Sequence, residues 1–355
     1  MKVLSVVGAR PQFVKLAPIA EAFAATEHTH VIVHTGQHYD AEMSDIFFAD
    51  LAIPAPDVHL GVGSGSHGVQ TGAMLAALDG VLDEHSPDWV LVYGDTNSTL
   101  AGAVSAVKMH LPVAHLEAGL RSFNRAMPEE HNRVLTDHAA DLALAPTRTA
   151  VEHLTREGLA DRTVLVGDVM TDVLRRVSAA GTGAPVTGLP GGLDPDAPYL
   201  IATLHRAENT DDPARLAAIL DALAGLDTPV VLLAHPRLRA RAREYDLELA
   251  RGAIHPTNPL PYPATLAAMT RATGVVTDSG GLQKESFLLG VPTTTVRTET
   301  EWPETLEGGW NVLCPEPADL ARCLSRPGPT AERAEPYGDG HAAAKVLAAL
   351  EGAAR

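Results

Sequence analysis

Cysteine, aromatic residues and positive charge are all scarce in this chain of 355 residues. Its two cysteines, Cys314 and Cys323, lie too far apart for a CxxC motif, so a zinc cluster, a redox motif and a disulfide framework are not expected. The simpler interpretation is that both are reduced thiols packed as small apolar side chains. Two thiols without a partner motif favour a reducing cytoplasm.

Positive charge is outnumbered, with 27 Lys and Arg against 44 Asp and Glu, which gives a formal net charge of −17. This balance argues against a nucleic-acid-binding surface, which needs clustered cations. A small anionic ligand is still possible, because a few Arg, Lys and His side chains with helix N-termini can hold a diphosphate. Long hydrophobic runs are also lacking. No apolar segment approaches the roughly 20 residues of a membrane span. The apolar run near residue 1 is too short, and too closely followed by charge, for a signal peptide. We therefore expect a soluble cytoplasmic protein.

Short β-branched runs alternate with Ala- and Leu-rich helical stretches over nearly the whole chain, which predicts βαβ units and parallel sheets. The alternation pauses at a Gly- and Pro-rich stretch, 178–198, which indicates a linker or surface loop. We therefore predict an α/β protein of two Rossmann-like domains, 1–168 and 169–340, followed by a helix at about 341–355. The predicted strands are 3–7, 31–34, 89–93, 112–116, 142–145, 164–166, 199–204, 230–233, 274–277 and 293–296.

Ligands of open α/β sheets bind at the carboxyl ends of the strands, so residues directly after strands are the candidates for a site. The first strand runs into Arg10 and Lys15 without the GxGxxG pattern of dinucleotide binding, which weakens any proposal of an NAD-dependent enzyme. Two cations beside a helix N-terminus suit a diphosphate. The alternative is an ordinary charged surface loop.

Three carboxylates are predicted at the same edge of the first sheet. Asp95 follows the third run, Glu117 follows the fourth, and Glu130 stands in Met127-Pro128-Glu129-Glu130-His131-Asn132-Arg133. Each has a structural alternative. Asp95 or Thr96 would cap the next helix, and acids after Pro128 would favour the helix dipole.

The second half carries a comparable set of polar residues after its strands. A His-Arg pair follows residue 204, and a strand passes through a small turn into a helix, where Ser279 and the N–H groups of two glycines suit a phosphate. Glu285 in that helix could accept hydrogen bonds from both hydroxyls of a ribose, and Arg297 could meet phosphate or a sugar carboxylate. Structural alternatives are a packed histidine and a surface loop at Arg297. The candidates in this half are His205, Arg206, Ser279, Gly280, Gly281, Glu285 and Arg297.

These segments together resemble the non-hydrolysing UDP-N-acetylglucosamine 2-epimerase family. The strings GARPQFVK, TGQHYD, YGDTNSTLAG, HLEAGLRS, MPEEHNR, HRAEN, TDSGGLQKE and TEWPE occur in the family's order over essentially the whole chain. The resemblance implies the GT-B fold, with two Rossmann-like domains and the active site in the cleft between them. It implies a homodimer without a metal or other cofactor, and a C-terminal helix that packs back on the first domain.

The resemblance also assigns residues. It implies that UDP is held by Arg10, His205, Ser279, Gly280 and Glu285, and that the reaction is served by Lys15, Asp95, Glu117, Glu130 and His205. Many bacterial members bind a second UDP-GlcNAc as activator near a Gln-His segment. Gln37 and His38 match that segment, whereas residues 39–42 depart from it.

The reaction implied is inversion at C2 of a UDP-N-acetylhexosamine. No carbonyl adjoins C2, so direct deprotonation is prohibitively slow, whereas departure of UDP from C1 makes the C2 proton acidic and yields 2-acetamidoglucal. The scheme needs cations and N–H donors at the diphosphate and acid/base groups on both faces of C2. The motifs HRAENTDD and TEWPE also resemble those of a subgroup acting on UDP-diacetamido-glucuronic acids. The substrate is therefore open between UDP-GlcNAc and a sugar with a carboxylate at C6. The sequence also leaves open a GT-B glycosyltransferase, a hydrolysing epimerase and a catalytically silent nucleotide-sugar sensor.

Overall fold

A computed structural model describes residues 1–37, 53–181, 189–190 and 192–353, apart from the side chains of residues 10 and 177–181. The chain forms two compact units, Met1–Arg176 with Glu335–Arg355, and Val177–Ala334. The predicted activator segment after Gln37 lies outside the described residues, as does much of the predicted linker. None of the described helices is long and apolar enough to span a membrane.

The described part of the first unit is built on a parallel sheet of seven strands in the order β3-β2-β1-β4-β5-β6-β7. Its central strands are buried on both faces, which explains why they read as continuous apolar runs. The strands are β1 Lys2–Val7, β2 Thr29–His34, β3 Val58–His59, β4 Trp89–Tyr93, β5 Val113–Leu116, β6 Leu142–Ala145 and β7 Thr163–Leu165.

Helices connect these strands and expose mainly their polar faces. Thr96 caps the helix after β4 by accepting a hydrogen bond from the Thr99 N–H, and Pro128 is the first residue of the helix after β5. The helices of this unit are Arg10–Ala24, His67–His85, Asn97–Lys108, Pro128–Ala139, Arg148–Arg156, Val169–Gly181, whose end passes into the second unit, and Ala342–Ala353, with a 3₁₀ turn at Ala160–Arg162.

The second unit contains a parallel sheet of six strands within its described residues, in the order β10-β9-β8-β11-β12-β13. Its strands are β8 Leu200–Thr203, β9 Val230–Leu233, β10 Ile254–Thr257, β11 Gly274–Thr277, β12 Thr293–Thr295 and β13 Asn311–Leu313. Its helices are Ala207–Thr210, Pro213–Ala224, Pro236–Glu244, Tyr262–Arg271, Gly280–Leu289 and Leu320–Leu324, with 3₁₀ turns at Pro303–Gly309 and Pro317–Asp319.

Two sequence-based boundaries differ from the structure. The predicted linker begins at Ser178, but the helix Val169–Gly181 continues through that residue, since the two following alanines are good helix formers. Most of this helix also belongs to the first unit, although the sequence pattern assigns residues from 169 onward to the second domain. The reason is local: Asp172 accepts hydrogen bonds from the N–H groups of Ala342 and Ala343 at 2.9 and 2.8 Å, which joins the helix to the C-terminal helix.

Candidate functional site

Each sheet has one point where neighbouring strands lead their connections in opposite directions. In the first sheet this point lies between β1 and β4, and in the second between β8 and β11. The crevice beyond the carboxyl ends at such a point is where open α/β sheets bind ligands. Asp95 follows β4, His205 follows β8 by two residues and Ser279 follows β11 by two, so these predicted site residues lie at the switch points.

In the first unit, Lys15 and Glu117 form an ion pair with both side chains largely buried. Their charged groups lie over Gly94, where a Cβ would stand 3.0 Å from the lysine Nζ and 3.1 Å from the Glu117 Oε2. Gly94 has a φ of 61°, so both space and backbone require glycine. The sequence offers Lys15 as a cation for a diphosphate, and the family resemblance gives it a role in the reaction. In this structure its ammonium pairs with Glu117, and both roles stay predictions.

The backbone of Glu117 is itself unusual. Its φ is 73°, in the left-handed region that few residues other than glycine adopt. The Glu117 N–H donates to the carbonyl of Leu144, 3.1 Å away, which holds the turn after β5. Strain of this kind collects at functional sites, where the surrounding structure enforces it. The pair Lys15–Glu117 and Asp168 line a small cavity beyond the strand ends.

Asp95 is held by an arginine that sequence reasoning did not single out. Arg133 donates to the Asp95 Oδ2 from Nε at 3.0 Å and from Nη2 at 2.6 Å. The guanidinium is almost fully buried, whereas 29% of the Asp95 side chain remains exposed. Because Thr96 is the helix cap, capping does not account for Asp95. A partly exposed carboxylate at a strand end, fixed by a buried cation, is suited to proton transfer.

Glu130 lies at the far side of the same arginine and accepts several hydrogen bonds. Arg133 Nη1, the N–H and hydroxyl of Ser122, and the N–H of Phe123 all donate to its carboxylate at 2.9 Å. Burial alone would raise the pKa of Glu130, but these donors outweigh it and lower the pKa below its ordinary value. Glu130 is therefore a firmly ionised group that anchors Arg133 and the turn at Ser122.

In the second unit, buried Asp278 orients the His-Arg pair. Its carboxylate accepts hydrogen bonds from the N–H groups of His205 and Arg206 at about 3.0 Å and from Asn209 Nδ2 at 3.1 Å. The His205 Nδ1 is 3.0 Å from the Asp278 Oδ1, and 37% of the His205 side chain is exposed. Burial acts to raise the pKa of Asp278, but the contacts with His205 reverse the effect and the pKa is lowered. Since Asp278 engages Nδ1, the His205 Nε2 is the nitrogen that can meet a ligand.

Ser279 caps the helix Gly280–Leu289, which begins at the predicted phosphate turn. A Cβ on Gly280 would lie 2.2 Å from the Glu301 Oε1, so this position accepts only glycine without rearrangement. The N–H groups of Gly280 and Gly281 stand in the first helical turn, where no intrahelical acceptor exists. Such a turn is an anion-binding element.

The remaining candidates of this unit are more enclosed than the sequence suggested. Glu285 is buried and accepts a hydrogen bond from the Tyr262 hydroxyl at 3.1 Å. Arg297 has no exposed side-chain surface and donates to Glu301 Oε2 at 2.8 Å. Glu301 also faces the Arg206 guanidinium at 3.7 Å. Arg297 thus holds Glu301 beside the phosphate turn, and its predicted contact with phosphate or a sugar carboxylate stays a prediction.

Sequence reasoning missed Arg133, Asp278, Glu301 and Tyr262. The first three stand inside the quoted strings MPEEHNR, TDSGGLQKE and TEWPE, so a signal was present in the motifs themselves. Spacing could suggest the local pairs, Arg133 with Glu130 and Glu301 with Arg297. It could not reveal the bonds from Arg133 to Asp95 and from Tyr262 to Glu285, which join distant segments. Arg10, predicted at the end of β1, has a side chain that the structure does not describe. Within the described residues, no group of three or more His, Cys, Asp or Glu side chains is arranged for a metal ion.

Comparison with known proteins places these features in a family. The family model for UDP-N-acetylglucosamine 2-epimerase matches residues 21–351. A UDP-2,3-diacetamido-2,3-dideoxy-D-glucuronate 2-epimerase of Pseudomonas aeruginosa is 46% identical over 327 residues, 90% of each chain. The UDP-N-acetylglucosamine 2-epimerase of Methanocaldococcus jannaschii is 41% identical over 322 residues, 88% of each chain.

Solved structures agree. A crystal structure of the Methanocaldococcus jannaschii UDP-GlcNAc 2-epimerase in complex with UDP-GlcNAc and UDP is similar with a TM-score of 0.91, at 38% identity over 99% of both chains. The predicted fold class, α/β with two parallel sheets of the GT-B type, is confirmed, as is the isomerase class of the enzyme. This chain belongs to the UDP-N-acetylglucosamine 2-epimerase family.

Proposed function

We propose that this chain is a non-hydrolysing 2-epimerase that interconverts UDP-GlcNAc and UDP-ManNAc. The observation that carries the proposal is the placement of Asp95 and Glu117 after adjacent parallel strands, β4 and β5, each carboxylate paired with its own cation. Inversion at C2 requires a proton to leave one face and return to the other, and two separately held carboxylates meet that requirement.

The proposed reaction breaks and remakes one bond to UDP. The C1–O bond to UDP breaks, the C2 proton passes to a carboxylate, and a C1–C2 double bond forms to give 2-acetamidoglucal. A proton then reaches C2 from the opposite face, and UDP returns to C1. We assign Asp95 as the base in one direction and Glu117 as its counterpart, with Lys15 and Glu130 in supporting roles.

The leaving diphosphate needs positive charge and N–H donors that strengthen as charge develops on its oxygens. His205 Nε2, Arg206 and the turn Ser279–Gly281 are assigned this task, together with Arg10. His205 therefore serves both binding and reaction. Glu285 is assigned to the ribose hydroxyls, and Arg297 to a phosphate or a sugar carboxylate of the substrate. We further propose a cytoplasmic homodimer; the two thiols are free, as suits a reducing compartment.

A second candidate substrate is the UDP-2,3-diacetamido-2,3-dideoxy-D-glucuronate named for the Pseudomonas aeruginosa relative. This candidate is supported by the 46% identity of that relative and by the HRAENTDD and TEWPE motifs, which resemble those of the subgroup acting on UDP-diacetamido-glucuronic acids. The same elimination applies to this sugar, and the difference lies in a carboxylate at C6. Arg206, whose side chain is 20% exposed, and Arg297 are cations of the second unit that we propose for such a group.

The test offers both nucleotide sugars to the purified chain, separately and without an acceptor, and follows the products by NMR. UDP-ManNAc from UDP-GlcNAc supports the proposal, and inversion of the glucuronate alone supports the second candidate. Free ManNAc with UDP would indicate a hydrolysing enzyme. Absence of any change would contradict both candidates and favour a transferase or a sensor.

A further inference from the structure

We infer that His115 is a positioning residue that donates from both ring nitrogens and, with Asp137, holds together the two loops that carry Asp95 and Glu117. The inference rests on the proposed function, because it concerns the spacing of the two carboxylates assigned to proton transfer. It adds a residue pair that lies behind the site and contacts neither the proposed substrate nor UDP.

The two ring nitrogens of His115 both face an acceptor. Nε2 is 2.7 Å from the carbonyl oxygen of Gly94, and Nδ1 is 2.6 Å from the Asp137 Oδ1. A carbonyl oxygen can only accept, so Nε2 carries a proton. The second short contact therefore needs a proton on either Nδ1 or the carboxylate.

Asp137 decides which group holds that proton. Its other oxygen accepts from the Gly119 N–H at 3.1 Å and from Arg121 Nη1 at 2.7 Å. These donors favour the ionised carboxylate. Although burial acts to raise the pKa of Asp137, His115 and Arg121 lower it. The proton belongs on the imidazole.

The remaining charges around the pair are balanced. Arg121 also donates to Glu157 through Nε at 2.9 Å and Nη2 at 2.8 Å. Two cations, His115 and Arg121, thus face two anions, Asp137 and Glu157. His115 and Asp137 have no exposed side-chain surface, and Arg121 has 1%, whereas Glu157 is 27% exposed and also lies 3.2 Å from His138 Nε2. The three buried groups are stable as charges because each of them is paired.

The clamp acts on backbone rather than on substrate. His115 holds the carbonyl of Gly94, the residue before Asp95, and Asp137 holds the N–H of Gly119, two residues after Glu117. Both glycines and Glu117 have positive φ values, 61°, 84° and 73°. The loop before Asp95 and the loop after Glu117 are both bonded to the buried pair His115–Asp137. This pair therefore fixes the distance between the two carboxylates. An error of about 1 Å in such spacing can lower turnover about 100-fold.

The direct test is ¹⁵N NMR of the histidine rings in the full-length protein at pH 7, without any substrate. His115, assigned by its loss in His115→Gln, is expected to show a proton on each ring nitrogen, as its two acceptors require. His30 is the internal contrast, because burial lowers its pKa to about 4 and its ring is neutral. A His115 ring with one unprotonated nitrogen would overturn the inference, whatever the reaction proves to be.

The kinetic arm uses the nucleotide sugar that the enzyme inverts. His115→Gln and Asp137→Asn are expected to lower kcat about 100-fold with KM and UDP affinity nearly unchanged, because the UDP groups lie elsewhere. His30→Gln, on β2 of the same sheet, is the matched control and should keep normal kcat. Folded variants with wild-type kcat would contradict the positioning role. If neither sugar is inverted, the proposed function fails while the NMR result still decides the protonation of His115.

Discussion

At the scale of single residues, the site is a set of carboxylates that each have an assigned cation. Lys15 faces Glu117, and Arg133 faces both Asp95 and Glu130. These pairs do more than neutralise charge, since they also fix where each carboxylate lies. Glu130 accepts four hydrogen bonds and is poorly suited to take up a proton, whereas Asp95 keeps part of its surface exposed.

The anchoring role of Glu130 makes a prediction for stability. Glu130→Gln should lower the free energy of unfolding at pH 7 by roughly 3 kcal/mol, because the buried Arg133 loses a charged partner. The folded-state pKa of Glu130 lies below the unfolded value. Its contribution is therefore present above about pH 4.3 and is lost as pH falls below that value, so the variant and wild type should converge in acid. Urea unfolding at several pH values measures this.

Glu129→Gln is the matched control, since it removes the same charge from the first turn of the same helix. Its expected cost is below about 1 kcal/mol, in the range of a helix-dipole interaction. Equal losses from the two variants would show that Glu130 contributes through the helix dipole alone.

At the scale of the elements, apolar runs predicted the inner strands well and the edge strands poorly. Strand β10 contains His255 and Pro256, and β3 has only Val58 and His59, so neither carries a hydrophobic signal. The helix Pro236–Glu244 was missed for the same reason, since four arginines hide its short apolar face. The candidate residues, in contrast, were found because they directly follow predicted strands. The carboxyl ends of parallel strands lie at one edge of the sheet, where ligands bind.

The sequence predicted which residues belong to the candidate site, but not the hydrogen bonds that join them. Asp95, Glu117, His205 and Ser279 follow strands and were found from the sequence. Arg133 reaches Asp95 across 38 positions of the chain, and no periodicity encodes that contact. Such bonds depend on how a helix packs on a sheet, which the spacing of residues within one segment does not specify.

The C-terminal helix offers a test at this scale. Asp172 accepts hydrogen bonds from the first two N–H groups of the helix Ala342–Ala353. Asp172→Ala should cost about 1–2 kcal/mol, as loss of a helix cap does, and hydrogen exchange should accelerate in residues 342–353. Asp339→Ala, which removes an exposed carboxylate beside the same helix, should leave that exchange nearly unchanged. Unchanged exchange in Asp172→Ala would contradict the capping role.

At the scale of the whole molecule, the two units carry different parts of the proposed reaction. The first unit carries the carboxylates assigned to C2, and the second carries His205 and the phosphate turn assigned to UDP. In the proposed reaction, the glucal and UDP both remain bound from the departure of UDP until its return to C1. Escape or hydrolysis of the glucal would turn the same groups into a hydrolase, so water must be kept from the intermediate.

The most direct measurement follows the bridging oxygen between C1 and phosphorus. Nucleotide sugar labelled with ¹⁸O at this position is incubated with the enzyme, and ³¹P NMR locates the label while C2 inversion is monitored. The account predicts that the label spreads to the non-bridging oxygens of the β-phosphate, since that phosphate can rotate while UDP is detached. Inversion of C2 with the label still confined to the bridge would contradict the departure and return of UDP.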